Sequence, residues 1–290
     1  MKKILLSLFT VGVVAVVALV ATQAFFNDTE TSVGNVLQAG ALDLRIDNTC
    51  YYNGNACTPV LDDNHQPLGY STWNGLPDGE RCSCTWGPKD LSEGDLFFNL
   101  RDLKPGDWEE DTISIDVDNP SWLCADLKVT KDDDNTCTEP ETTDETAHQL
   151  VCAPGNKGEL AQNLHFVFWS DDGDNVFEVG EREKILTQGT ADQVLNGVKW
   201  ALADSAHGSA IGPKTYYIGK FFCFGTIGLS PLEDGNGSPV DRKGSGFTCD
   251  GKPVDNQSQT DVLIGDVSFY AEQARHNEGF LCNPPTPTPE

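Results

Sequence analysis

The alternation of apolar and polar residues with a period of two is the feature that most restricts how this chain can fold. Leu42, Leu44 and Ile46 alternate with charged residues near the start of the chain. This period is typical of strands that bury one face, whereas short continuous apolar runs suit strands buried on both faces. The two patterns together predict strands at residues 41–47, 95–100, 112–118, 122–129, 164–169, 216–224 and 261–271.

These strands, separated by Gly- and Pro-rich segments, predict an all-β fold, a two-sheet antiparallel sandwich of the jelly-roll type. A hairpin is expected across the turn at Pro105 and Gly106, and the best helix candidate is residues 181–197. The apolar phase of the last strand slips at Gly265, as it does at a β-bulge. One domain is predicted over residues 41–282, with long insertions at 49–93, 130–157 and 231–259 and a Pro-rich tail at 283–290.

The first 24 residues have the pattern of a secretion signal. Lys2 and Lys3 precede an apolar run, and small residues end the segment at Ala24. We expect cleavage between Ala24 and Phe25, which predicts a secreted, extracellular or cell-surface protein. An uncleaved anchor is the alternative, because residues 4–26 are long enough to span a bilayer.

The chain is strongly acidic, with a formal net charge of −26. Such a charge repels nucleic-acid phosphates and anionic lipids, so neither nucleic acid nor, after cleavage, a membrane is an expected partner. Divalent cations are attracted instead. A hydrophobic content of 38% is enough for a packed core, so the acidity is that of a folded protein's surface.

Ten cysteines follow the predicted cleavage site, and an even number in an exported chain indicates disulfides. A turn at residues 53–55 favours a bond between Cys50 and Cys57, whereas Cys82 and Cys84 are too close in sequence to pair with each other. Zinc held by these four cysteines is an alternative that lacks a CxxC spacing. The remaining predicted disulfide cysteines are Cys124, Cys137, Cys152, Cys223, Cys249 and Cys282, of which Cys137 and Cys152 would close an acidic loop.

Four short motifs occur in order along the chain: FFNDTET at 25–31, AGALDL at 39–44, NLRDLKPGD at 99–107 and FYAEQ at 269–273. They resemble the TasA/camelysin family of secreted biofilm-matrix fibre proteins, whose signal is of the SipW-dependent type. The resemblance covers about half of the chain by position, because the cysteine-bearing segments between the motifs have no counterpart. It implies a dedicated signal peptidase and a homopolymer, with an accessory matrix protein as a further partner.

The resemblance also implies how subunits join, because in this family the N-terminal strand of one subunit completes the sheet of its neighbour. Such strand addition takes its affinity from main-chain hydrogen bonds and its register from alternate side chains. The donor segment would be residues 25–40. The alternative is that this segment folds back as an edge strand of its own domain. The predicted polymerisation residues are Phe25, Phe26, Asn27, Asp28, Val33 and Val36.

One acidic stretch has the composition of a calcium site. Calcium binds six to eight oxygen atoms, and carboxylates spaced around a Gly turn can supply them. The alternative is a solvated turn after a strand, and residues 132–135 are a weaker second candidate. The predicted calcium ligands are Asp171, Asp172, Asp174, Asn175, Glu178 and Glu181.

No catalytic residues are predicted. Camelysins have been classed as metallopeptidases, but the chain has no HExxH motif, and its five histidines are isolated from one another. A third hypothesis is a monomeric secreted module that binds calcium or glycans and acts in adhesion. Trp73, Trp86 and Trp108 lie in or beside loops and would supply its binding surface.

Overall fold

The structure is a computed structural model that describes residues 27–32, 36–38, 43–239 and 244–284. The predicted signal at 1–24 and its cleavage site at Ala24 and Phe25 lie outside the described residues. So do Phe26 and Val33 of the predicted donor segment and residues 285–290 of the tail.

Strands make up most of the described part of the chain. None of its helices is long and apolar enough to cross a bilayer. The helices are α1 (Glu139–Ala147), α2 (Leu160–Asn163) and α3 (Ala191–Val194), with 3-10 helices at Val179–Lys184 and Asn256–Ser258. The strands are β1 (Asn27–Ser32), β2 (Val36–Gln38), β3 (Leu44–Tyr52), β4 (Asn55–Leu61), β5 (Pro67–Trp73), β6 (Arg81–Cys82), β7 (Trp86–Lys89), β8 (Trp108–Val117), β9 (Ser121–Asp133), β10 (Leu164–Asp171), β11 (Ile185–Thr190), β12 (Trp200–Ala203), β13 (Lys214–Phe224), β14 (Thr226–Leu229), β15 (Phe247–Asp250) and β16 (Val262–Gln273).

Two antiparallel sheets form the predicted all-β sandwich. The first sheet has the order β12-β9-β16-β1-β2. The second has the order β11-β10-β13-β8-β3-β4-β5-β6, with β7 also paired to β3, and β14 and β15 form a separate two-stranded sheet. The jelly-roll connectivity stays a prediction.

The main core lies between the two sheets, where the period-two pattern places apolar side chains. Ile113 and Ile115 of β8 and Leu127 of β9 are almost fully buried. Aromatic contacts join the layers: the ring centroids of Phe168 on β10 and Trp200 on β12 are 4.7 Å apart. The sandwich interior therefore follows from the alternation in the sequence.

The outer face of the second sheet is also covered where β10 and β13 lie. Trp169 and Phe221 point away from the main core and pack with Phe177 and Phe247 in a second apolar cluster. The predicted insertion at 231–259 supplies Phe247, so this segment covers the sheet. Both predicted double-sided strands, β10 and β13, are confirmed as buried central strands.

Several local predictions were wrong. Residues 95–100 form no strand, so the predicted hairpin is absent, and β8 pairs with β3 and β13 instead. Residues 181–197 are split into part of a 3-10 helix, β11 and α3, because Ile185–Thr190 pairs with β10. The segment at 49–93 contains strands that extend the second sheet and is therefore no simple loop insertion. The bulge near Gly265 is confirmed by a register shift against β9.

All ten cysteines form disulfides, and this pairing fits an oxidising, extracellular environment. The predicted Cys50–Cys57 bond is wrong: Cys50 pairs with Cys84 and Cys57 with Cys82. Residues two apart in an extended segment point to the same side, so Cys82 and Cys84 can both reach the hairpin of β3 and β4. The zinc alternative fails because these four thiols are all in disulfides. Cys137–Cys152 closes the acidic loop as expected, and the other bonds are Cys124–Cys282 and Cys223–Cys249.

Removing the Cys124–Cys282 bond with paired alanine substitutions is expected to lower the free energy of unfolding by about 5 kcal/mol. This bond joins residues 158 apart, and a long closed loop restricts the unfolded chain most. Guanidinium unfolding of the variant and the parent chain measures the difference.

The matched control is the pair Cys137→Ala and Cys152→Ala, which opens a bond between residues only 15 apart. Its expected cost is smaller, about 3 kcal/mol. Equal losses in the two variants would contradict the chain-entropy explanation.

Candidate functional site

A cluster of five acidic side chains is the most unusual polar feature of the described part of the chain. We call it the carboxylate cluster. Its members are Asp134, Glu141, Glu145, Glu159 and Asp261.

Four segments that are distant in sequence bring these side chains together. Asp134 follows directly after β9, and Asp261 comes directly before β16. Glu141 and Glu145 lie one turn apart on α1, so they point to the same side of the helix. Glu159 occupies the N-cap position of α2.

The start of α1 explains how one of these side chains is held. Thr138 caps the helix, and Glu141 Oε2 accepts a hydrogen bond from the Thr138 backbone N–H at 2.9 Å. This reciprocal arrangement is a capping box. The Cys137–Cys152 bond connects the residue before the cap to the segment that follows the helix.

Backbone groups hold two more members. Asp261 Oδ2 accepts hydrogen bonds from the N–H groups of Glu159 and Leu160, at 2.7 Å and 2.9 Å. Asp134 Oδ2 accepts one from Ala153 N–H at 3.0 Å. One oxygen of each residue thus fixes its orientation.

Each of the five residues also has a buried oxygen that accepts no hydrogen bond from an N–H or hydroxyl group, although the Glu145 and Glu159 carboxyl groups share a hydrogen bond when one of them holds a proton. Glu141, Glu145 and Asp134 are at most 2% exposed. No Lys, Arg or His in the described ranges forms an ion pair with any of the five. The unpartnered atoms are Asp134 Oδ1, Glu141 Oε1, Glu145 Oε2, Glu159 Oε2 and Asp261 Oδ1.

The spacing of the oxygens suits a hard cation. The ligand atoms of Asp134, Glu141 and Glu145 all lie within 4.8 Å of one another, and so do those of Asp134, Glu159 and Asp261. Calcium binds oxygen at about 2.4 Å, so ligands on opposite sides of the ion are about 4.8 Å apart. Two sets of three ligand atoms, which share Asp134, thus have a spacing that suits a divalent cation such as Ca²⁺.

The pKa values of these groups reflect burial without a compensating positive charge. Burial and then the charge of Glu145 raise the pKa of Glu159 to about 8. Burial raises the pKa of Asp261 to about 7, even though two backbone N–H groups act in the opposite direction. Burial also raises the pKa of Glu141 and Glu145. A cation bound here would favour the ionised forms and would therefore compete with protons for these oxygens.

The predicted calcium ligands after β10 lie in a turn in which the backbone already uses several of the carboxylates. Asp171 Oδ2 accepts hydrogen bonds from Gly173 and Asn175 N–H, and its Oδ1 accepts one from the Trp169 indole N–H at 3.1 Å. Glu178 Oε1 accepts one from Gly235 N–H.

Among the other predicted ligands in this turn, Asp172 and Asp174 are exposed. Asn175 and Glu181 are buried and keep unpartnered side-chain atoms. Burial raises the pKa of Asp171 to about 6 and that of Glu181 to about 7. Calcium at this turn stays a prediction, as does its alternative, a solvated turn that follows a strand.

Sequence reasoning therefore missed most of the carboxylate cluster. Only Asp134 belongs to the second candidate stretch, residues 132–135. A local signal for α1 existed, because Thr138 and Glu141 have the capping-box spacing and Pro140 lies in the first turn. Nothing local indicated that Glu159 and Asp261 would join them.

The predicted donor segment lies beside the last strand of its own chain. β1 pairs antiparallel with β16 over six residues, from Asn27 opposite Glu272 to Ser32 opposite Val267. The other side of β16 pairs with β9 along its length, and β2, which begins at Val36, pairs with the free side of β1. The second edge of β16 is therefore completed by the N-terminal segment of the same chain. This arrangement is the one that the alternative to strand exchange predicts, and exchange between subunits stays a prediction.

The tryptophans of the glycan hypothesis pack against the fold. Trp73 contacts Tyr52, with ring centroids 5.5 Å apart, and Trp108 stacks on Phe221 at 5.9 Å. Trp86 meets Phe97 edge to face at 5.1 Å. All three are partly buried, which disfavours a flat exposed platform of aromatic rings.

Comparison with protein-family models, with curated proteins and with solved structures finds no match to this chain.

Proposed function

We propose that this protein is a secreted structural subunit that polymerises into extracellular filaments, in a biofilm matrix or on a cell surface, by N-terminal strand addition. The single observation that carries the proposal is the pairing of β1 with β16. The strand that completes the edge of β16 comes from the N-terminal segment, which lies before the first strand of the second sheet.

A terminal strand can be supplied either by its own chain or by a neighbour. The pairing depends on main-chain hydrogen bonds, and these are the same in either case. An exposed edge of β16 would also be an unstable feature, since unpaired strand edges attract other strands. If each subunit gives its strand to the next, the contact is heterologous and an open filament results.

The carboxylate cluster supports this function through its position. Asp261 comes directly before β16, and Glu141 and Glu145 belong to a helix stapled by the Cys137–Cys152 bond. Calcium at the cluster would hold the start of β16 in place. In this proposal, Ca²⁺ therefore stiffens the strand that receives the neighbour.

The resemblance to TasA and camelysin adds the remaining elements of the proposal, namely removal of the signal by a dedicated signal peptidase and help from an accessory matrix protein. The second candidate function is a monomeric calcium-binding surface module. The carboxylate cluster favours this alternative too, because a calcium site needs no polymer.

Cross-linking across the β1–β16 pair separates the two functions. Thr31 lies opposite Ser268. In the double variant Thr31→Cys, Ser268→Cys, a short bis-maleimide should join the two new thiols, since every native cysteine is in a disulfide. Filaments built by strand exchange should yield a ladder of covalent dimers, trimers and longer species after reduction and denaturing electrophoresis.

The single variant Thr31→Cys is the control and should give no ladder. Filaments that yield only cross-linked monomers would show that each chain keeps its own strand and would overturn the proposed exchange. A chain that forms no filaments and cross-links only within itself would support the monomeric module.

A further inference from the structure

Three ionisable side chains lie inside the sandwich, on the core face of two neighbouring central strands. Lys220 belongs to β13, and Glu109 and Asp111 belong to β8. Lys220 is 1% exposed, and both acids are fully buried. Lys220 and Asp111 are direct cross-strand partners, so their side chains rise from the same face at the same height.

The amine of Lys220 touches both acids. Lys220 Nζ lies 2.6 Å from Asp111 Oδ2 and 2.9 Å from Glu109 Oε2. It also donates a hydrogen bond to the Phe97 carbonyl oxygen at 3.2 Å. The contact between Lys220 Nζ and Asp111 Oδ2 does not have the geometry of a hydrogen bond. Neither oxygen of Asp111 has a hydrogen-bond partner by this criterion, and Glu109 Oε1 also lacks one.

The surroundings of the three groups are aromatic and largely apolar. The Phe98 and Phe222 ring centroids lie 5.2 Å and 5.8 Å from Lys220 Nζ. A cavity of about 10 Å³ borders Lys220 between Phe97 and Phe98, which is about the room that one water molecule requires. Burial raises the pKa of Glu109 to about 8, although the Lys220 charge lowers it, so Glu109 holds a proton at neutral pH.

We propose that the Lys220 amine and the Asp111 carboxyl group condense to an isopeptide bond, with Glu109 as the proton relay. The site would thus be one of covalent self-modification, distinct from the carboxylate cluster and the β16 edge. It borders the Cys50–Cys84 disulfide, since Cys50 Sγ lies within 4.8 Å of carboxylate oxygens of Glu109 and Asp111. It is independent of filament formation.

The proton count of the site allows this reaction. With Glu109 protonated, the triad of one ammonium, one carboxylate and one carboxylic acid has no net charge. Moving the ammonium proton to Asp111 gives a neutral amine, –NH₂, and two carboxylic acids with the same proton count. Burial lowers the pKa of the Lys220 amine, but the charges of Asp111 and Glu109 outweigh it and raise that pKa. The free amine is therefore the minor form, and it is the nucleophile of the reaction.

The step balances without any oxidant, reductant or cofactor. Lys220 Nζ forms a bond to Asp111 Cγ, and the C–O bond to the hydroxyl group breaks. Glu109 accepts a proton from the nitrogen and delivers one to the departing oxygen, so it ends as it began. The products are one amide and one water molecule, and escape of the water from the apolar site opposes the reverse reaction.

The close contact between the Lys220 amine and the Asp111 carboxyl group should accelerate their condensation. Groups held in contact in a suitable orientation react as if at effective concentrations of about 10⁵–10⁸ M. The amine and the carboxyl oxygen are already in contact across adjacent strands, so the reaction needs only a small rotation of the carboxyl group. The product would join β8 to β13 in the middle of the second sheet by a bond that reducing agents do not cleave.

The test is mass spectrometry of the mature full chain, after reduction and alkylation of all cysteines and determination of its N-terminus. The bond predicts a mass lower than that of the sequence by one water molecule. Trypsin should fail to cut after Lys220, and the peptide that spans Lys220 should remain linked to the peptide that contains Asp111. A full sequence mass with normal cleavage at Lys220 overturns the proposal and leaves a buried ion triad.

Four variants make the test specific. Asp111→Ala should restore the full mass and the tryptic cut, and Glu109→Gln should slow bond formation on the order of 10²–10⁴-fold, as loss of an acid–base group does. Asp111→Asn should lose ammonia instead of water and give a product with the same mass as the cross-linked parent.

Glu110→Gln removes a buried carboxyl group that makes no contact with Lys220 and should leave the bond intact. Loss of the bond in Glu110→Gln with retention in Glu109→Gln would contradict the assigned relay.

Discussion

Deleting residues 25–36, so that the chain begins at Leu37, is expected to abolish filaments while the subunit stays folded. The deletion removes β1, and β16 then has no strand along its second edge. Neither the same chain nor a neighbour can supply the missing main-chain hydrogen bonds. Negative-stain electron microscopy of both chains, purified and compared at equal concentration, measures the loss.

The truncated subunit should still fold, because the deletion removes none of the core residues whose burial the structure describes. β16 keeps its pairing with β9, and those described core residues all lie after residue 43. Each lost hydrogen bond contributes about 1 kcal/mol, and the β1–β16 pair covers six residues on each strand. At about 2–4 °C per kcal/mol, we expect a Tm lower by about 10–20 °C. The Cys124–Cys282 bond still ties β9 to the segment after β16.

A synthetic peptide of residues 25–36 provides the positive control. It should bind the truncated chain, raise its Tm towards that of the parent and yield capped monomers, since a free peptide carries no further subunit. A peptide of scrambled sequence should do neither. Filaments from the truncated chain would contradict strand addition and direct attention to another surface.

Calcium is expected to raise the Tm of this protein by about 10 °C at pH 8. Binding to the folded state alone contributes about 4 kcal/mol when the free ion is a thousand times its Kd, and each kcal/mol corresponds to about 2–4 °C in a domain of this size. The ligands would be the five unpartnered oxygens of the carboxylate cluster. Thermal unfolding with excess Ca²⁺ and with a chelator gives the difference.

As the pH rises, the Tm measured with a chelator and the increase in Tm caused by Ca²⁺ should change in opposite directions. The pKa of Glu159 is raised from 4.5 to about 8 and that of Asp261 from 3.8 to about 7, so the folded state holds protons that the unfolded state has released. This contribution to stability is complete below about pH 4 and is lost as the pH rises through 7 to 8. With a chelator, Tm should therefore fall between pH 5 and pH 8, whereas the increment due to Ca²⁺ should grow.

Matched variants tell the two candidate calcium sites apart. Glu145→Gln with Glu159→Gln should raise the stability of the metal-free protein at pH 8 and remove most of the response to Ca²⁺. Asp172→Asn with Asp174→Asn, in the turn after β10, should leave that response unchanged. The reverse result would place the calcium site at the turn that the sequence predicted.

Local chemistry was enough to predict six of the sixteen strands that the structure describes, namely β3, β8, β9, β10, β13 and β16. The alternation around Ile113 and Ile115, the apolar run before Asp171 and the phase slip at Gly265 all correspond to observed elements. The wrong predictions came from local sequence patterns that were overridden by strand pairing in the tertiary structure. Ile185–Thr190 became a strand because β10 offered it an edge, although its composition suited a helix.

The candidate sites could be predicted from the sequence less well than the strands, because their residues come together only in the tertiary structure. Nothing in the neighbourhood of Glu159 or Asp261 indicates that the two carboxylates share a cluster, and Lys220 lies in an apolar run whose pattern predicts only a buried strand. A lysine in such a run was a signal, since a buried amine needs a partner. The identity of that partner depends on which strand lies next to β13.

By itself, the sequence determined the strand character of the chain, the presence of disulfides and the acidic surface, because periodicity, cysteine number and charge are properties of neighbouring residues or of composition. The tertiary structure alone decided the disulfide pairing, the membership of the carboxylate cluster and the contact of Lys220 with Asp111. These depend on strand order and register, which are set by the packing of the whole core between two sheets. No local segment contains that information.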